Sequence, residues 1–287
     1  MFIIHQFAGK EQIWKIFFRA VSSALLLLLL INVLFPFYWM LVTSLKTRLE
    51  IHSKVPEFWP GTPVIDNYVN ALSQSKFGMY ISNSLIVTVT SSLIVLLVAI
   101  LGGYALARYN FKGKNAVMII FLASQMVPLI VAIIPMFILY SKIGLIDRIG
   151  SLIVSYTAGN VPFCLITMSS FFRRIPVSLE EAATIDGCSR FQSVVRIVLP
   201  VMLPGIMAVF VFAFTGCWNE LFYATMMISA DSRRTIPAGL MNFVQKYDID
   251  WGQMSAAGII TLLPVTLMFF FVQKYIVAGL TQGAVKE

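Results

Sequence analysis

Two histidines, three cysteines and thirteen carboxylates are all that this chain of 287 residues has for acid–base, nucleophilic or metal chemistry. They do not gather. His5 and His52 fall in different predicted compartments, so a histidine metal site or a catalytic triad is not supported. Cys164, Cys188 and Cys217 are widely separated, with neither a zinc-ligand spacing nor a disulfide framework. Gly113-Lys114 lacks the upstream glycine and the following hydroxyl of a phosphate loop. Carboxylates within apolar stretches are too few for a proton relay. The chain is therefore read as non-catalytic, with no metal and no cofactor of its own.

The polar residues that remain informative sit inside apolar runs. Gln125, Asn160 and the cluster Trp218, Asn219, Glu220 and Tyr223 are candidates to line a solute pathway, because polar groups facing lipid are costly. Glu220 lies some 18 residues into its run, or roughly 27 Å at about 1.5 Å per residue, which brings it near an interface where water screens its charge. An outer-vestibule or partner-contact role competes there with a plain interfacial position. Pro128 and Pro135 interrupt the run that holds Gln125; such breaks either flank a pathway or simply kink a packed helix.

The elements that must position these residues are transmembrane helices. Hydrophobic residues make up 59% of the chain and charged residues 12%, with a mean hydropathy of +0.85. Soluble domains carry about a quarter charged residues, so this composition belongs to a membrane protein. Six apolar runs reach the roughly 20 residues that span a bilayer: 17–44, 82–106, 115–141, 149–172, 201–225 and 256–280. The first is too long for a signal peptide and has no small-residue cleavage pattern. The fold class expected is all-α: a polytopic membrane protein with six transmembrane helices. Residues 1–16 form a short lead and 281–287 a tail, both assigned to the cytoplasm. Residues 45–81 and 226–255 form two sizeable external loops, the first with a short interfacial helix near Tyr68–Leu72. Gly102 and Gly103 could permit close helix approach. The net charge of +8 does not indicate nucleic acid, since the basic residues are spread over loops with no aromatic-interleaved patch. Arg108, Lys112 and Lys114 instead orient the chain, with both termini inside.

One polar interval, 173–200, carries unusually consistent local signals. Ser178 stands three residues before Glu181, which predicts a capping box, and Gly187 is placed to end that helix in the left-handed conformation. Ser189 and Gln192 repeat the capping pattern, and Pro200 and Pro204 bound the next element. The prediction is a compact helical hairpin between the fourth and fifth spans. A transporter without energy-coupling chemistry must borrow energy from a partner, and this hairpin is the surface for it to dock on.

Glu181-Ala182-Ala183, Gly187, Ile197, Leu199 and Pro200 together resemble the EAA loop of permease subunits in binding-protein-dependent ABC importers. Asn83-Ser84-Leu85, the run Tyr104–Tyr109 with Phe111, Gly113 and Lys114, and the ending Gly279–Lys286 are similar to the carbohydrate branch, six-span permeases of the maltose-importer type. The resemblance implies residence in a bacterial or archaeal plasma (inner) membrane. It implies a second homologous permease subunit, two ATPase subunits that bind the ATP and magnesium, and an external solute-binding protein. It places Glu181, Ala182, Ala183, Asp186 and Gly187 at the ATPase contact; charge adds Arg190 as a partner for an ATPase carboxylate. The loop 226–255 would reach toward the binding protein and the tail toward the ATPase. A permease for another solute, such as a polyol, a glycerol phosphate or a peptide, and a self-sufficient secondary transporter or channel are the competing readings.

Overall fold

The computed structural model describes the backbone of residues 2–73, 76–244 and 249–281, and side chains within 14–73, 76–244 and 249–275. The tail 282–287 and, in the loop 226–255, Lys246 and Asp248 lie outside the described residues. The described chain is almost entirely helical: α1 Phe2–Ser44, α2 Arg48–Ile51, α3 Asp66–Ser73, α4 Phe77–Arg108, α5 Lys114–Met126, α6 Leu129–Lys142, α7 Ile149–Arg174, α8 Ser178–Ile185, α9 Arg190–Ser193, α10 Leu199–Val201, α11 Leu203–Trp218, α12 Phe222–Met227, α13 Ile236–Leu240 and α14 Trp251–Thr281.

Four of these helices contain stretches long and apolar enough to cross a membrane: Trp14–Ser44, Phe77–Arg108, Ile149–Arg174 and Trp251–Tyr275. Two further candidates are bent pairs, α5 with α6 at 101° and Arg190–Val201 with Leu203–Trp218 at 77°. The first bend has a legible cause. Pro128 forces Val127 into extended backbone, φ −75° and ψ 119°, which a helix cannot continue. Pro135, by contrast, stays inside α6. The second bend follows a five-residue π-helical stretch, Val194–Val198, and a break at Met202 just before Pro204.

The chain divides into two units, residues 1–71 with 249–260 and residues 72–248 with 261–287. In the first, the turn after α1 is tied down by polar contacts. The Asn67 side-chain amide donates to the carbonyls of Ser44 and Lys46, both at 2.9 Å, and the Ser44 and Tyr68 hydroxyls pair at 2.7 Å. The expected short helix near Tyr68–Leu72 is α3, and α2, closed by a Thr47–Glu50 capping box, adds a second.

The second unit is built on α4, α7 and α11. One cluster packs Val95 and Ala99 of α4 against Cys164, Met168 and Phe172 of α7 and Ile206, Val209 and Ala213 of α11. Lipid tails are as apolar as leucine, so this packing gains by close van der Waals fit rather than by leaving water. Glycines make this fit possible: a Cβ at Gly102 would lie 2.6 Å from the Leu165 side chain, and one at Gly103 3.0 Å from both Met168 and the Ser169 nitrogen. The small residues thus serve helix approach. A second cluster joins Val87, Ile133, Tyr140, Leu152, Tyr156, Cys217, Tyr223 and Met227.

Candidate functional site

The hairpin begins where α7 ends. Ile175 is extended before Pro176, and from Pro176 the chain turns directly into α8, with the Val177 carbonyl accepting from both Glu180 (2.9 Å) and Glu181 (3.1 Å). The expected Ser178–Glu181 capping box is therefore not formed. The helical turn already contains Val177, so Ser178 sits one position too far inside to cap it. The other local expectations hold. The Cys188 N–H donates to Ala183 at 2.9 Å and the Gly187 N–H to Thr184 at 3.1 Å, the paired bonds of a Schellman ending, with Gly187 at φ +87°. Ser189 and Gln192 form the second capping box as expected, at 3.3 and 2.9 Å.

This geometry sorts the predicted contact residues. Glu181, Ala182, Asp186, Gly187 and Arg190 are exposed. Ala183 is not: it is buried, because it lies on the inward face of a two-turn helix, so it holds the hairpin together rather than meeting a partner. Arg190 is already engaged, its guanidinium 4.9 Å over the ring of Tyr109. Two residues that sequence reasoning missed project outward: Ile185 is 86% and Phe191 77% exposed. The sequence shows large apolar residues in this polar turn, Leu179 among them, but not that Ile185 and Phe191 would be the most exposed.

The second missed feature is Glu180. Its carboxylate accepts from Arg108 Nε at 2.6 Å and from the Tyr104 hydroxyl at 2.8 Å, while Arg108 Nη2 donates to the Ile175 carbonyl at 2.9 Å. The Arg108 and Glu180 side chains are only 7% and 12% exposed. Beside them a cleft of about 420 Å³ opens between Ala107, Glu181, Thr184, Arg190 and Ser193.

The predicted pathway residues separate into two groups. Gln125 lies exposed two residues before the Val127–Pro128 break, its amide 3.5 Å from the Gly159 carbonyl. Asn160 donates to the Tyr156 carbonyl at 2.8 Å and abuts Gly216 and Cys217 at the end of α11. Exposed Asn219 caps that end, donating to the Thr215 carbonyl at 3.0 Å. Trp218 and Tyr223, however, are buried among their own chain's side chains. Trp218 stacks on Phe214 at 5.8 Å, and the Tyr223 hydroxyl meets Met136 Sδ at 3.3 Å. Glu220 is half-buried and occupied, its carboxylate accepting from the N–H groups of Tyr223 (3.0 Å) and Ala224 (3.3 Å) at the start of α12. Those three are supports behind the surface. Among the described residues no cluster of histidine, cysteine and carboxylates could hold a metal.

Residues 97–282, from the second half of α4 to beyond the described end of α14, match the family model for the binding-protein-dependent transport system inner membrane component. The chain belongs to that family. This permease is 34% identical over 259 residues to the sulfoquinovosyl glycerol transport system permease protein of Agrobacterium fabrum, covering 90% of this chain and 91% of that one. It is 33% identical over 272 residues to a diacetylchitobiose uptake system permease protein of Streptomyces coelicolor, covering 95% and 99%. It is also 33% identical over 281 residues to the trehalose/maltose transport system permease protein of Thermococcus litoralis, covering 96% and 99%. Among solved structures, a bacterial ABC transporter involved in the import of the polysaccharide alginate superposes with a TM-score of 0.79 at 20% identity, over 90% of this chain and 96% of that one. That likeness concerns the fold.

Proposed function

We propose that this permease carries a carbohydrate, a sugar or an oligosaccharide, across a bacterial or archaeal plasma membrane, and that residues 178–193 couple it to cytoplasmic ATPase subunits. The carbohydrate reading rests on the relatives, all three of whose names specify sugar-containing solutes. The observation that carries the coupling reading is the hairpin: a locally capped, polar turn that presents Ile185 and Phe191 to solvent. Large apolar side chains left bare on a polar loop mark an interaction surface. Glu181, Ala182, Asp186 and Gly187 frame that surface, with Arg190 at its edge.

In this reading the two bent pairs are single broken spans, six spans in all, and 17–280 is the permease domain between a cytoplasmic lead and tail. A second permease subunit completes the pathway, two ATPase subunits dock from the cytoplasm, and an external binding protein delivers solute. Gln125, Asn160 and Asn219 line this chain's half of the route. The break at Val127–Pro128 supports this, since irregular backbone at membrane depth survives only where protein or a water-filled cavity surrounds it.

Two experiments test the proposal. Reconstituted with its partners, Glu181→Lys or Gly187→Pro should insert normally yet lose solute-stimulated ATP hydrolysis; undiminished stimulation overturns the coupling assignment. Binding of the cognate solute-binding protein to a sugar panel should yield one tight ligand. Binding of a polyol, glycerol phosphate or peptide alone removes the carbohydrate reading.

A further inference from the structure

The lever that a hairpin of this kind drives is ordinarily the pair of spans it connects, here α7 and α11. The contacts around Glu180 point to a third member. Tyr104 and Arg108 sit one turn apart on the last turns of α4, so both project from one face of that helix. Both converge on the same carboxylate, at 2.8 and 2.6 Å. The other end of the Arg108 guanidinium holds the Ile175 carbonyl, the C-cap of α7, at 2.9 Å. One guanidinium therefore ties the end of α4 to the end of α7 and to the first turn of α8. Tyr104 also packs edge-on against Phe172 of α7, with ring centroids 5.3 Å apart. The next residue outward, Tyr109, carries the Arg190 guanidinium of α9 on its face. Both helices of the hairpin are thus anchored to the end of a span to which neither is directly connected in sequence.

We propose that Tyr104, Arg108 and Glu180 are positioning residues forming a brace that makes α4 part of the driven body. A push on the exposed face of the hairpin then moves α4, α7 and α11 as one. The brace is built to carry force. Its ion pair is almost closed to water, short, and satisfied at both ends by further hydrogen bonds, which separates it from a surface pair that exchanges freely with solvent. The fit of Gly103 against Met168 continues the contact one turn deeper, so α4 and α7 cannot slide past each other without lifting Met168 out of place. Glu180 and Glu181, adjacent in sequence, then have opposite duties: Glu180 faces inward to the permease's own helix, and Glu181 faces the partner.

The proposal rests on the reading of 178–193 as the ATPase joint. The test uses the complete reconstituted importer and reads the solute moved per ATP hydrolysed. In Glu180→Gln and Arg108→Met this ratio should fall about ten-fold, within the range of typical allosteric couplings, while solute-stimulated hydrolysis persists, because the ATPase still finds its docking face. The charge-swapped double variant Glu180→Arg with Arg108→Glu should recover part of the ratio. Tyr104→Phe, which removes one hydroxyl and keeps the ring packing, should give a smaller loss and serves where a single charge variant fails to assemble. An unchanged ratio in the charge variants, or a parallel fall in transport and hydrolysis with no recovery in the swap, overturns the brace. Gly187→Pro separates the two ideas. If it abolishes stimulation while Glu180→Gln keeps the ratio, the brace alone is wrong; if it leaves stimulation intact, the joint lies elsewhere.

Discussion

The two ends of α4 are both held by polar side chains, but by opposite designs. At the Arg108 end a single ion pair, nearly sealed from water, joins three elements. At the Phe77 end a distributed network does the work. The Tyr80 hydroxyl donates to Asp231 at 2.6 Å, Asn242 donates to Tyr80 at 2.8 Å, and Lys76 and Arg234 stand 3.5 and 3.8 Å from the same carboxylate. Asn83 holds the carbonyls of Ser232 and Arg234, and Ser84 accepts from the Ile236 N–H at 2.7 Å. Asp147 extends the clamp by accepting from the N–H groups of Ser229 and Ala230 and from Arg233. So at least residues 229–242 of the long second loop lie fastened to the helical body. The contrast teaches that a fastening shared among many contacts, buried and exposed, tolerates the loss of one, whereas a single ion pair closed to water makes a stiff joint with one point of failure.

Single substitutions should expose that difference. Arg108→Ala strands the Glu180 carboxylate in a nearly closed site, and breaking one side of a buried pair destabilises by about 3–5 kcal/mol. Thermal unfolding of the detergent-solubilised protein, with hydrogen exchange over 175–193, should register that loss. An effect below about 1 kcal/mol there would show that water already reaches the pair and would erase the contrast.

Gly187→Ala is next in size. At φ +87° a Cβ is strained by about 1–2 kcal/mol, although nothing crowds it, so the loss is conformational and should appear as faster exchange at Cys188 and Gly187. A neutral result would mean that the hairpin's angle is set from outside rather than by its own turn.

The smallest effect belongs to the opposite end. Asp231→Asn leaves the Asn83 and Ser84 contacts in place and should cost no more than about 1 kcal/mol. Its signature is pH. The Tyr80 hydroxyl, first, and then Lys76 and Asn242 hold the Asp231 carboxyl below the usual carboxylate range. A lowered folded-state value means that the stabilisation is present above the ordinary aspartate pKa and is lost as pH falls through the lowered one. Exchange protection over 229–242 should therefore weaken with acidification in the wild type and stay flat in Asp231→Asn. An equal pH response in the variant would show that the Asp231 carboxylate is not its source.

Much of this was legible in sequence. Hydropathy located the unbroken spans α7 and α4 to within about five residues, 149–172 against Ile149–Arg174 and 82–106 against Phe77–Arg108, because the bilayer's thickness sets a length that composition must meet; it did not show that the runs 115–141 and 201–225 are broken by bends. Gly187 and the Ser189–Gln192 pair declared their local geometry because turns and caps are decided by neighbours three or four residues away. The limits appeared where phase and distance mattered. The helix starts at Ser178 with Val177 as its N-cap, one residue earlier than a Ser178 cap requires, and that single step cancelled the cap.

What the sequence by itself determined is the class of molecule, the number of apolar runs, and a capped hairpin carrying the signature of its family. The tertiary structure decided which of two adjacent carboxylates faces inward, that Ala183, Trp218 and Tyr223 are interior, and that Glu220 is a helix cap. The reason is physical. Those assignments depend on partners such as Arg108, 72 residues before Glu180, whose approach is set by the packing of α4 on α7 rather than by any local propensity.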